Sequence, residues 1–188
     1  MRRQFNNVIS VTHSAVRFGL LKLLNGKNFN ASIVERFSPN VVFEMTKGAK
    51  VKLGKMVRAH SGCKFKVRRN AELVIGDGVK INYYCIFACH EKITIGAGTE
   101  FGPSVYLYDH DHDYRSGLKE NKYKCAPIAI GKNCWIGAST VILRGTTIGD
   151  DCVIGAGSIV TGVIPSGSVY FQKRIGEIRT YLQDPPEE

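Results

Sequence analysis

Five consecutive residues alternate carboxylate and imidazole: Asp109, His110, Asp111, His112 and Asp113. An imidazole titrates near neutral pH, and a carboxylate beside it orients the ring and raises its proton affinity. The segment therefore offers a base in His110 or His112, with Asp109 and Asp111 close enough to orient an imidazole. In an extended chain His112 falls on the same face as His110. His90 lies 20 residues earlier in the sequence. Tyr84 and Tyr114 offer rings on which a ligand could stack. Among the six cysteines only Cys85 and Cys89 are close, and no Cys-x-x-Cys pair occurs, which argues against a zinc ribbon or a dithiol redox site.

The chain around this segment is repetitive. Ile130, Ile136, Ile142, Ile148, Ile154 and Val160 recur every sixth residue, and Cys134, Thr140, Thr146, Cys152 and Ser158 follow the first five at the fifth place. Each hexapeptide makes one short strand and one corner. Three make a triangular coil, and successive coils stack as parallel strands about 4.8 Å apart. The aliphatic side chain points into the prism. The small residue sits inside a corner that has no room for bulk, and Gly or Asn relieves the tight turn. The same register runs backwards through Ile95, Phe101 and Leu107, through Ile75, Ile81 and Phe87, and less regularly through Leu53, Ala59 and Phe65. About five to six coils are expected between residues 41 and 165. A coil of 18 residues plus insertions would stack His90 near His110.

The repeat stops between Leu107 and Ile128, so residues 108–127 form an external loop with the histidines at its root. An excursion of that length in a compact solenoid is usually functional. Residues 1–40 are expected to form an N-terminal cap. Val16, Leu20, Leu21, Leu23 and Leu24, with Arg17 and Lys22, read as an amphipathic helix over 8–25 closed by Asn25-Gly26. That helix either covers the open end of the prism or rests on a membrane surface. Residues 166–188 leave the repeat after Pro165 as a C-terminal tail.

Of 188 residues 44% are hydrophobic and 22% charged, as in a soluble globular protein. No apolar run approaches the roughly 18 residues of a membrane span. Polar residues interrupt the N-terminal stretch, so no secretory signal is expected. Reduced, packed thiols point to a cytoplasmic protein, at the membrane face if the helix docks there. A net charge of +10 favours polyanionic partners. No nucleic-acid module is recognisable, so no nucleic-acid partner is expected.

Residues 128–165, from Ile128-Ala129-Ile130-Gly131 to Val163-Ile164-Pro165, together with Gly102–Tyr114 and Cys89–Gly96, resemble the hexapeptide O-acetyltransferases, the group of maltose, galactoside and capsular-polysaccharide enzymes. The resemblance implies an all-β fold, a left-handed parallel β-helix with a short N-terminal helix, although parallel crossovers are ordinarily right-handed. It implies transfer of an acetyl group from acetyl-coenzyme A to a hydroxyl of a saccharide acceptor, in a homotrimer with sites between subunits. His110 then stands at the catalytic histidine. Trp135 and Gly137 line the donor pocket, Ala138 presents a backbone N–H near the thioester, and Ala156 and Thr161 hold the pantetheine arm. Lys173 and Arg174 are placed to meet cofactor phosphates. Asn82 matches one acceptor-side asparagine, whereas Tyr84 stands where the family has a second. His90 and His112 are further candidates for the acceptor side.

Three rival functions share the scaffold: N-acyl transfer to an amino sugar, a γ-class carbonic-anhydrase-like zinc site on His90, His110 and His112, and a non-catalytic glycan-binding β-helix. The segment Asn133-Cys134-Trp135-Ile136-Gly137 and the external loop favour acyl transfer, for which no metal is expected.

Overall fold

Each aliphatic slot of the repeat stacks on the same slot of the next coil. On the first face the column is Leu53, Ile75, Ile95, Ile130, Ile148 and Ile164. On the second it is Phe37, Ala59, Ile81, Phe101, Ile136, Ile154 and Tyr170. On the third it is Phe43, Phe65, Phe87, Leu107, Ile142 and Val160. The three faces are parallel sheets of seven, seven and six strands. Together they form the parallel β-helix expected from the repeat, with the left hand that the family resemblance implies. The structure, a computed structural model, describes residues 2–32, 35–116 and 122–173.

The axial core changes character along its length. At the N-terminal end it is aromatic: Phe43 stacks on Phe65 with centroids 4.8 Å apart, and Phe87 meets Phe65 and Phe101 at 5.2 Å each. From Leu107 onward on the third face it is aliphatic. Burying each such side chain contributes about 1.5–3 kcal/mol. The small-residue slots satisfy corner carbonyls from inside. The Ser158 hydroxyl donates to the Gly155 carbonyl at 2.6 Å, and the Cys152 thiol to that of Pro165 at 3.1 Å. A larger apolar residue would clash there and would orphan the carbonyl. The corners need left-handed backbone. Asn133 and Asp151, stacked at one corner, have φ of 54° and 57°.

The ends depart from the expected boundaries. A strand at Phe29–Asn30 already pairs with the coil at Val51–Lys52, so the prism starts well before residue 41. At the other end Val169–Tyr170 pairs with Val153–Ile154, so the repeat outlasts Pro165 by one strand. Gln172 then closes the third face by exchanging two hydrogen bonds with the Ile159 backbone, at 3.0 and 2.9 Å. No aliphatic periodicity announces a last strand whose inward residue is a tyrosine.

The helix α1 spans Arg2–Asn25, six residues longer at its start than its apolar pattern suggests. It caps the prism with Ser14, Phe18 and Leu21. Phe18 sits among Phe29, Phe37 and Phe43 at 5.0–5.6 Å. The Ser14 hydroxyl both donates to and accepts from the Phe37 backbone, and the Arg17 guanidinium donates to the Val41 carbonyl. Val16, Leu20, Leu23 and Leu24, which look core-facing in the sequence, are exposed. No helix of the described residues is long and apolar enough to cross a membrane.

Candidate active site

Three corners join the faces. The corner from the third face back to the first holds His90 and Glu91 in one coil and opens into the external loop in the next, at Asp109. The loop is a two-stranded antiparallel ribbon. His110–His112 pairs with Tyr123–Cys125, with His110 opposite Cys125 and His112 opposite Tyr123. The Ala126 N–H donates to the Asp109 carbonyl at 3.0 Å and ties the base of the ribbon shut. Arg144, one coil further on, pairs with Asp111 at 2.5 Å and pins the ribbon to the prism.

Asp109 is the centre of this corner. It is wholly buried. Its two carboxylate oxygens accept the backbone N–H groups of His90 at 2.7 Å and Glu91 at 2.8 Å. Its Oδ1 also lies 3.3 Å from His110 Nδ1. Burial alone would raise its pKa. The hydrogen bonds from His110, from the His90 and Glu91 backbone and from the Cys89 thiol prevail and hold it below the usual carboxylate range. Asp109 is therefore an anion at neutral pH, fixed by main chain, with a histidine Nδ1 on it. That contact makes Nδ1 the protonated nitrogen and leaves Nε2 as the basic one.

The rings form a cluster. His90 and His110 stack at 3.5 Å with planes 19° apart. Tyr123 packs against both, at 4.4 Å from His90 and 5.3 Å from His110, and lies 4.8 Å from His112. Burial, and secondarily the neighbouring His110, push His90 down to about 4, so it is neutral at physiological pH. Stacked rings aim their nitrogen lone pairs side by side rather than at one point, which disfavours a shared metal. These groups line a groove of about 740 Å³ that continues over Tyr108, Ala88 and Ile86 to Lys66, Arg68 and Arg69.

The chain brings together His90, Asp109, His110 and His112. Thr161 lies at the same corner two coils on, exposed. Asp111 does not orient His110; it faces Arg144, because alternation along the ribbon turns it outward. Asn82 and Tyr84 lie at a different corner, between the second and third faces, the one that also carries Gly137, Ala138 and Ala156. There Asn82 caps the Tyr83 N–H at 2.9 Å. Tyr84 occupies left-handed backbone, φ 61°, with its ring against Gly62, where a Cβ would lie 2.3 Å from Tyr84 Cδ1. Gly137 is closed in by the next coil, with its Cβ position 2.5 Å from the Ala156 nitrogen. Trp135 is half exposed on the second face, in column with Val153 and Val169. Lys173 is exposed, and Arg174 lies outside the described residues. Tyr114 is exposed at the ribbon tip. The sequence reading passes over Tyr123, Arg68 and Arg144. Tyr123 and Cys125 do alternate just before Ile128, the one sign that the returning chain is a strand.

Comparison with known proteins agrees with this architecture. Residues 127–162 match the model described as the hexapeptide repeat of succinyl-transferase. The chain is 31% identical over 110 residues to a putative lipopolysaccharide biosynthesis O-acetyl transferase, WbbJ, of Escherichia coli, covering 52% of this chain and 55% of that one. It is 41% identical over 96 residues to the galactoside O-acetyltransferase of the same organism, covering 50% and 47%. The chain thus spans about half the length of these curated relatives. Among solved structures, the N-acyltransferase AntD of Bacillus cereus, determined with dTDP-4-amino-4,6-dideoxyglucose and coenzyme A, superposes with a TM-score of 0.67 at 16% identity, over 85% of this chain and 88% of that one. At that identity the likeness speaks to the fold. The three stacked columns give the chain the left-handed β-helix fold, and residues 127–162 carry its hexapeptide repeat.

Proposed function

We propose that the chain is an acyltransferase that moves an acetyl group from acetyl-coenzyme A to a hydroxyl of a saccharide, with His110 as general base. The observation that carries this reading is the buried Asp109 carboxylate, locked by two backbone N–H groups and in contact with His110 Nδ1. That pairing presents Nε2 to the groove. The base takes the acceptor proton as its oxygen attacks the thioester carbonyl. A backbone N–H at Ala138 steadies the oxyanion, and the imidazolium returns the proton to the departing thiolate. Asp109 stabilises the imidazolium without itself accepting the proton. The curated relatives that are O-acetyltransferases favour a hydroxyl acceptor.

The donor-side residues Ala138 and Ala156 sit one corner away from His110 in the same chain. We infer that a second copy supplies them, in a homotrimer of parallel prisms, with coenzyme A between two subunits. The exposed apolar column Trp135, Val153 and Val169 on the second face suits such an association. Thr161, Lys173 and Arg174 belong to the donor side of that site, and His112 to its acceptor side. The reduced thiols and the basic helix fit a cytoplasmic site near the membrane face.

The test is thiol release from acetyl-coenzyme A by the full chain with a panel of neutral, amino and phosphorylated saccharides. His110→Ala should lower kcat by about 10²–10⁴-fold while coenzyme A binding by calorimetry and the oligomeric state are kept. An unchanged kcat removes His110 from the mechanism. Preference for amino sugars in the panel would move the reading to N-acylation.

A further inference from the structure

We propose that Lys66, Arg68 and Arg69 seat a phosphate or diphosphate borne by the acceptor, so that the molecule acylated at His110 is a phosphorylated sugar. This rests on the acyl-transfer reading and specifies its acceptor. The three cations line the same groove as His90, His110 and Tyr123. The Arg68 N–H donates to the Cys89 carbonyl at 2.8 Å, which sets Arg68 one coil above His90. Arg68 is close enough to contribute to the lowering of the His90 pKa. Two coil spacings, about 10 Å, separate its strand from that of His110. One hexose ring and the reach of an arginine side chain cover that span.

Position distinguishes this cluster from the other cations of the sheets, since it lines the groove that holds the histidines and carries charge in excess of its acids. On the first face Lys52 and Lys92 share Glu72, at 2.9 and 3.1 Å, and on the second Lys80 pairs with Glu100 at 2.5 Å while Arg36 and Arg58 stack above it. In the groove a single carboxylate, Glu44, serves two cations, at 3.3 Å from Arg68 and 4.0 Å from Lys66. Arg69 is exposed and has no carboxylate partner among the described residues. Three of the nearby acids are already committed: Asp109 to His110 and the His90 and Glu91 backbone, Asp111 to Arg144, and Asp113 to Lys124 at 3.1 Å. Guanidinium forks bind phosphate oxygens in pairs, and the surplus positive charge attracts a dianion. The position points to the acceptor rather than to coenzyme A. Trp135, Ala138 and Ala156 lie in coils that follow His110, whereas the cations lie in a coil that precedes it.

The experiment is calorimetric titration of pyrophosphate into the full chain without coenzyme A. Saturable binding is expected, weakened about tenfold or more in Arg68→Gln and in Arg69→Gln, and unchanged in the control Lys50→Gln. Arg69, being exposed, gives a variant that folds whatever Arg68→Gln does. Uridine diphosphate and a short prenyl diphosphate serve as further probes. Tighter binding of either than of pyrophosphate upholds the site and names a nucleotide or a lipid carrier as the source. The proposal is overturned by absent pyrophosphate binding, by equal binding in the variants, or by coenzyme A affinity that falls with the same substitutions. Because this titration needs neither donor nor turnover, a failure of acyl transfer leaves its result readable.

Discussion

Two corners of the prism use the same device to different ends. Between the first and second faces, Asp77 caps the Lys55 N–H and Asp150 the Lys132 N–H of the preceding coil, both at 2.7 Å and both near solvent. Glycines allow this closeness: a Cβ at Gly54 or Gly131 would lie 2.3 or 2.4 Å from the capping carboxylate. Between the third and first faces Asp109 also caps the preceding coil. There it closes two N–H groups instead of one, is sealed from water, and carries His110 on the same oxygen. A coil-to-coil staple common to the fold is buried here, and its hydrogen bonds, against the effect of burial, keep it anionic beside a histidine. On the proposed reading Asp109 serves both fold and site, whereas Asp77 and Asp150 serve the fold alone.

The largest effect that tests this contrast is Asp109→Ala. Each buried donor left without an acceptor costs about 1–3 kcal/mol, and two are orphaned, so a clear drop in thermal midpoint is expected. Asp150→Ala should cost about 1 kcal/mol or less, because water replaces an exposed acceptor. Equal losses in the two variants would erase the distinction between the corners. Acid titration sharpens it. Asp109 is held below its ordinary pKa in the folded chain. Its contribution is therefore complete above about pH 4 and is lost as pH falls through the lower folded value. In denaturant titrations the acid limb should lose this dependence in Asp109→Asn.

The same contrast explains what could be read from the residues alone. The prism is legible because its signal is periodic: the columns from Leu53 to Ile148 and from Phe65 to Val160 follow directly from apolar spacing. His110 and Asp109 stand out because alternating His and Asp is not turn chemistry. Tyr123, Arg68 and Arg144 are not legible, since each reaches the site through a register between coils rather than through a local pattern. Asp111 looks equivalent to Asp109 in sequence. Only the ribbon geometry sends one inward to His110 and the other outward to Arg144. The helix misleads for a related reason. Its leucines suggest a core face, but the end of the prism is already filled by phenylalanines and accepts Phe18 and Ser14.

A smaller effect comes from His90, which stacks on His110 but is held neutral. Its folded pKa of about 4 lies below the ordinary histidine value of about 6.5. The unfolded chain therefore binds the extra proton first, and stability contributed by the neutral ring is present above about pH 6.5 and declines as pH falls toward 4. His90→Gln should flatten that part of the stability profile, measured as the difference in midpoint between variant and wild type across pH 4–7. A profile that keeps its slope without His90 would mean that another group carries it. In activity assays kcat should largely persist in His90→Gln and fall in His110→Ala, because only His110 has Asp109 on its Nδ1.

The smallest effect is expected at Arg144. Its pair with Asp111 lies near solvent, where such pairs contribute about 0.2–1 kcal/mol. Arg144→Ala should therefore shift the midpoint little. The pair nevertheless ties the outer face of the ribbon to the coil below, while Asp109 and Ala126 fix only its root. Loss of the tie should increase hydrogen exchange at His112 and Tyr123 and leave exchange at His90 and Ile136 unchanged. It should also raise KM for the acceptor more than it lowers kcat, since Tyr123 walls the groove whereas the His110 to Asp109 contact does not depend on Arg144. If instead kcat fell with KM constant, the ribbon would be setting the angle of the imidazole itself, and the division between a rigid root and an adjustable wall would have to be abandoned.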